Sequence, residues 1–220
     1  MSSIITQPFI LIGMGKCGYA TLTTEFTKHK IPHVPTHASQ TIYQPGKKYV
    51  LLIRNPIQRF VSAFNWRYHL LSNKLISERP YELAGLEKYK PVNNIAEKLY
   101  NSDGTLNDEI HTFITHKYIT DIPAHFGLGV DFYIGDFVNK YSPEDLLGVV
   151  TTEHIRDDVK RLFGIELTEH QHKNAGNYDT YLSERAYANL RKYLKPGYDC
   201  IDKLYANGSI SQIQYHSLSS

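Results

Sequence analysis

At 220 residues the chain is long enough for one α/β domain with a sizeable core, and its 24 Lys and Arg against 22 Asp and Glu leave a formal charge of +2. That balance excludes a protein that coats nucleic acid, so any basic site must be local. Two cysteines, Cys17 and Cys200, exclude a disulfide framework and a multi-cysteine zinc site, and they fit a reducing compartment.

The apolar run at 8–14 is too short to span a bilayer and lacks a basic flank, which predicts a soluble, cytoplasmic chain whose first strand lies at 9–13. Residues 18–28 read as a helix opening at a glycine-containing turn, 31–37 as a short strand punctuated by proline, 48–53 as the next strand and 56–72 as a helix. This βαβ opening predicts a single α/β domain over 1–220, with a mainly parallel central sheet of about four or five strands flanked by helices. The segment 73–124 is polar, with Pro80, Pro91 and an Asn-Ser-Asp-Gly turn at 101–104, and is helical near 95–100 and 106–118. It reads as a helical cap that would receive the acceptor. Strand character returns at 131–137 and 147–151, followed by a helix over 152–163 begun by Thr152. Two helical stretches broken at Pro196-Gly197 are expected within 181–205, and the polar tail 207–220 is expected to fray.

Two stretches carry chemistry. The first, GMGKCGYATL at 13–22, brings three glycines and one lysine to the end of a strand and the start of a helix, a P-loop-like arrangement whose backbone N–H groups can cradle a phosphate. It departs from the P-loop kinase pattern, because Gly18 is followed by Tyr19 and the lysine comes earlier, at 16, which disfavours Mg–ATP. Nor is it a dinucleotide fingerprint, since no acidic residue follows near position 38. A tight strand-to-helix turn alone would also account for the glycines. The second stretch, YVLLIRNPIQRFVSAF at 49–64, is a buried-type strand that ends abruptly on Arg54. Asn55 can cap a helix and Pro56 can take its first turn, which puts Arg54 at the carboxyl edge of the sheet. Pro56, Arg59 and Ser62 then fall three apart on one helical face. A guanidinium, a serine hydroxyl and a helix start converging on a strand end fit a phosphate clamp, the alternative being that Arg54 and Arg59 pair with surface carboxylates.

Together, Lys16-Cys17-Gly18-Tyr19-Ala20-Thr21-Leu22 and Arg54-Asn55-Pro56-x-x-Arg59-x-x-Ser62-x-Phe64 resemble the two cofactor motifs of the sulfotransferases that use 3′-phosphoadenosine 5′-phosphosulfate (PAPS). The resemblance implies that the loop from Lys16 through Cys17, Gly18, Tyr19 and Ala20 to Thr21 holds the 5′-phosphosulfate, and that Arg54 and Ser62 hold the 3′-phosphate. Tyr19 and Ala20 depart from the small and hydroxyl-bearing residues usual there. The segments 131–137 and 149–154 are similar to the family's later strands, and Lys173-Asn174 is similar to a late cofactor loop ahead of its terminal helices. Thr36-His37 precedes the Arg54 strand much as a Thr-His pair does in cytosolic members, which implies His37 as general base. His33 is the rival, and a glutamate from the cap is a further alternative. Lys16 would stabilise charge on the departing phosphate, and no metal is required. The Arg-Lys-Gly triplet of the cytosolic members is absent, which points toward the carbohydrate-type or a divergent microbial branch.

The activity so implied is sulfuryl transfer from PAPS to a hydroxyl or amine of a small-molecule or glycan acceptor. Two other classes stay open at this point: an ATP-dependent small-molecule kinase with a degenerate phosphate loop, and a nucleotide-binding scaffold without turnover. The spacing of His111 with His116, and of His170 with His172, supplies no complete metal-ligand set.

Overall fold

Residues 7–37, 42–76, 79–115, 126–167 and 178–220 are described by the computed structural model. Four strands form one sheet: β1 (Phe9–Gly13), β2 (His33–His37), β3 (Tyr49–Ile53) and β4 (Leu146–Thr151). Their order is β2-β1-β3-β4 and every pairing is parallel. The sequence explains the order. All five residues of β3 are buried, as an apolar run must be when helices cover both faces. β2 carries Pro35 and an exposed Val34, and it sits at an edge, where a missing N–H costs no ladder bond.

The helices of the α/β domain are α1 (Tyr19–Lys28), α2 (Pro56–Ser72), α3 (Pro80–Tyr89), α4 (Val92–Glu97), α5 (Asp108–Thr115), α6 (Val130–Lys140), α7 (Ile155–Phe163), α8 (Glu184–Tyr193), α9 (Lys195–Ala206) and α10 (Gln212–Ser219). They divide with the sheet into two compact units. The first, drawn from residues 1–56, 130–172 and 196–220, holds the sheet; the second, from 57–129 and 173–195, is helical among its described residues.

In the first unit Phe9, Phe26 and Phe163 form one aromatic cluster, with Phe26 and Phe163 centroids 4.6 Å apart. A second cluster joins Tyr49, Phe137 and Tyr141, with Phe137 and Tyr141 stacked at 5.0 Å. In the second unit Phe60 and Phe64 meet Phe126, and the buried Glu82 accepts two hydrogen bonds from Arg67. Ser183 caps α8 and also donates to Glu97 at the end of α4, which ties those two helices together.

Four expectations are corrected. Residues 131–137 are not a strand but the middle of α6, because the buried positions Val130, Tyr133, Ile134, Phe137 and Val138 follow helical spacing and outweigh the aromatic and β-branched content. Pro196-Gly197 does not break the last helices; the break falls at Leu194, and Pro196 sits in the first turn of α9, where its missing N–H is harmless. Thr152 opens a short 3₁₀ turn (Thr152–His154) ahead of α7 and not the helix itself. The tail forms α10, started by a reciprocal Ser211/Gln214 capping box and anchored by buried Gln214 and Leu218. The segment 73–124 is helical in α3, α4 and α5, but the unit they belong to is wider, taking in most of α2 and all of α8. No described helix is long and apolar enough to cross a membrane.

Candidate functional site at the carboxyl edge of the sheet

The chain leaves β1, crosses through α1 to β2 on one flank, and then returns as β3 on the other flank of β1. The strand order therefore reverses between β1 and β3, the place where an open α/β sheet leaves a crevice beyond its carboxyl ends. The residues that follow β1 and β3 are the glycine-rich loop and Arg54.

The loop turns through two left-handed residues, Lys16 at φ 70° and Gly18 at φ 86°. Gly18 occupies the position before α1 without a side-chain cap, and the first intrahelical bond runs from Leu22 N–H to Gly18 C=O (3.1 Å). The N–H groups of residues 19–21 thus precede the helical ladder, the arrangement that suits an anion. Ala20 is exposed there and Thr21 half-buried in the first turn. The bulky Tyr19 is accommodated by Gly13: a Cβ on that glycine would lie 1.9 Å from Tyr19 Cδ2. Burial raises the Tyr19 pKa, so the phenol stays protonated.

Three strand ends are tied together around the loop. Arg54 Nη1 donates to Lys16 C=O (3.2 Å), and the Thr152 hydroxyl, after β4, shares its proton between Cys17 C=O (2.8 Å) and Ile53 C=O (3.2 Å). Cys17 itself is fully buried, its Sγ 3.9 Å from Gly15 C=O, and serves the loop's packing. Burial, and then the neighbouring Arg54 charge, lower the Lys16 pKa to about 8. Arg54 Nε is buried and has no acceptor among the described residues. Two cations held this close in a partly desolvated place repel one another, a cost that an anion such as a phosphate or sulfate group would relieve.

The register separates the two candidate bases. His37 pairs with Gly13, so the backbone of residue 37 lies beside the start of the loop, and Thr36 Oγ1 secures β2 by donating to Leu11 C=O (3.0 Å). His33 pairs with Phe9 at the opposite edge, four residues or ~13 Å away along the strand. Its Nδ1 bonds Ile31 C=O (2.8 Å) and its ring packs against Phe26 (5.2 Å). His33 is thus a half-buried histidine held by packing and a backbone carbonyl.

Ser62 lies on α2 in the second unit and is half-buried. Arg59 is neither a clamp residue nor a surface ion pair: it is 2% exposed and donates through Nη1 to Leu128 C=O inside the second unit. Lys173, Asn174, His116, His170 and His172 lie outside the described residues.

Sequence reasoning missed the third strand end. Glu153 Oε1 accepts from the Asn55 backbone N–H (3.0 Å), and burial raises its pKa. The Asn55 side chain donates to the carbonyls of Ser217 (3.4 Å), Leu218 (3.1 Å) and Ser220 (2.8 Å), while His154 Nε2 meets Ser217 Oγ at 2.7 Å. The end of α10 is thereby fastened to the residue that follows Arg54. A signal existed: Thr152-Glu153 follow an apolar run as directly as Arg54 does.

Comparison of the chain with protein-family models and with curated proteins returns no match.

Proposed function

We propose that the chain is a sulfotransferase that takes its sulfuryl group from PAPS and passes it to a hydroxyl or amine of a small-molecule or glycan acceptor. One observation carries the reading: Lys16 and Arg54 are held together at the switch point of a parallel sheet, on a loop that turns into an uncapped helix start. Two like charges so placed cost free energy until an anion joins them.

PAPS would supply the sulfuryl group, transferred in line from a phosphate oxygen to the acceptor oxygen or nitrogen. The loop N–H groups and Lys16 hold the phosphosulfate end, and Lys16 stabilises the negative charge that grows on the departing phosphate oxygen. Arg54 receives the 3′-phosphate; the role of Ser62 stays the one the resemblance implies. His37 accepts the proton that the attacking hydroxyl loses. Cys17, Tyr19, Ala20 and Thr21 shape the loop and its helix start; Lys173 and Asn174 keep the role in nucleotide binding that the resemblance implies.

Incubation with sulfur-35-labelled PAPS and a panel of glycans, phenols, lipids and small metabolites tests the activity. Thermal melts test the site. Adenosine 3′,5′-bisphosphate should raise Tm well above AMP or ATP, without magnesium. Equal stabilisation by AMP sinks the reading, and magnesium-dependent stabilisation by ATP alone turns it toward a kinase.

A further inference from the structure

Among the described residues Glu153 is the acidic group drawn to the backbone step beside Arg54, and the transfer chemistry does not use it. Its Oε1 is fixed by the Asn55 N–H, while Oε2 is buried and has no partner among the described residues. Arg54 sits on the other side of the same backbone step, close enough for its charge to favour the carboxylate, with no ion pair between the two among the described residues. Arg54 is instead committed through Nη1 to the Lys16 carbonyl, and its Nε is buried beside the loop. The charged and titratable neighbours within this unit are Arg54 after β3, Lys16 on the loop Arg54 braces, and His154 on the same turn as Glu153, whose Nε2 meets Ser217. Asp158 on α7 is engaged by Thr151, Arg161 and Gln214, and α10 offers Ser217, backbone carbonyls and an exposed His216.

We infer that Glu153 couples ligand charge to protonation: when a phosphate ester pairs with Arg54, the Glu153 carboxylate loses the charge that steadies it and takes a proton from solvent onto Oε2. The inference rests on the anion site proposed above. The balance is simple, one solvent proton gained per ligand bound at the limit, with no other bond made or broken. Burial already disfavours the ionised form, and loss of the Arg54 charge acts in the same direction. The consequence is selectivity by charge, since the site accepts a dianion best when Glu153 can be neutral. Linkage requires the reciprocal, that ligand binding strengthens as pH falls toward 6.

The test is calorimetric titration of the full chain with adenosine 3′,5′-bisphosphate at pH 6 in buffers of different ionisation enthalpy, for wild type and Glu153→Gln. The variant keeps an oxygen for the Asn55 N–H and loses the charge. Proton uptake by the ligand phosphates is common to both proteins, so their difference reports the Glu153 carboxylate. Wild type should take up a substantial fraction of a proton more than the variant, and at pH 7.5 the variant should bind about tenfold more tightly. Equal uptake, or weaker binding by Glu153→Gln, overturns the coupling while leaving the anion site standing. No binding by either protein at any pH overturns both. Should the variant not fold, infrared difference spectra of wild type decide, because ligand must then produce a protonated-carboxyl band, and its absence overturns the inference.

Discussion

Arg54 and Arg59 lie five residues apart in one motif and the fold gives them opposite duties. Arg54 stands at the edge of the sheet with an unpaired buried Nε, whereas Arg59 is buried in the second unit and bonded to a carbonyl. Arg54→Ala should therefore weaken binding of adenosine 3′,5′-bisphosphate by ~2–4 kcal/mol with the fold intact. Arg59→Ala should instead lower the unfolding free energy by ~2–4 kcal/mol, since it leaves both a void and an unsatisfied carbonyl. Denaturant melts beside ligand titrations separate the two, and an unfolded Arg54→Ala would make that residue structural. The His37 prediction is kinetic. His37→Ala should leave nucleotide affinity nearly unchanged yet slow transfer about 10²–10⁴-fold, the usual worth of a positioned general base. His33→Ala should cost stability and not rate, because that ring is packed against Phe26 at the far edge.

At the scale of elements, the site depends on how strand ends are joined. Gly18 takes φ 86°, and a Cβ there would also crowd Ile155 Cδ1 at 3.3 Å. Gly18→Ala should accordingly cost ~1–2 kcal/mol for the left-handed backbone alone and weaken anion binding by re-aiming the loop. Asn55 has a longer reach, since its one amide group serves three carbonyls at the end of α10. Asn55→Ala should destabilise the fold by ~1–3 kcal/mol, the cost of stranding such acceptors. Hydrogen exchange should show α10 opening first, ahead of the amides of β3. Uniform loss of protection across both elements would mean that α10 is no separate latch.

For the molecule as a whole, Lys16 and Arg54 carry a charge conflict that a bound anion would relieve. Lys16 is charged in folded and unfolded chains alike below about pH 8, so the penalty from burial and Arg54 is then present in full. Between about 8 and its ordinary value of 10.5 the unfolded chain binds more protons than the folded one, and stability from this group rises with pH across that window. Anion affinity runs the other way, falling above about pH 8 as the Lys16 ammonium is lost. Lys16→Met should remove that alkaline loss of affinity. It should also raise the Tm of the ligand-free protein by about 2–4 °C, the response of a chain this long to ~1 kcal/mol. A lower Tm for Lys16→Met would show that the lysine supports the fold and not the ligand.

Local pattern alone determined the class of fold and where the glycine-rich loop and Arg54 stand in it. The apolar runs before Gly13 and Arg54, each ending in a glycine or a charge, specify buried parallel strands with their chemistry at the carboxyl edge, because side-chain periodicity and turn residues act within a few positions. The tertiary structure decided what depends on distant partners. It turned 131–137 into a helix by burying one face of it, and it drew Arg59 into a core. It also placed the backbone of residue 37 beside Gly13 and that of His33 beside Phe9 through the register of β2 against β1, which no local rule encodes. Glu153 joined the site only because β4 pairs beside β3 across nearly a hundred residues of chain, a contact set by packing of the whole sheet and invisible in the neighbourhood of either residue.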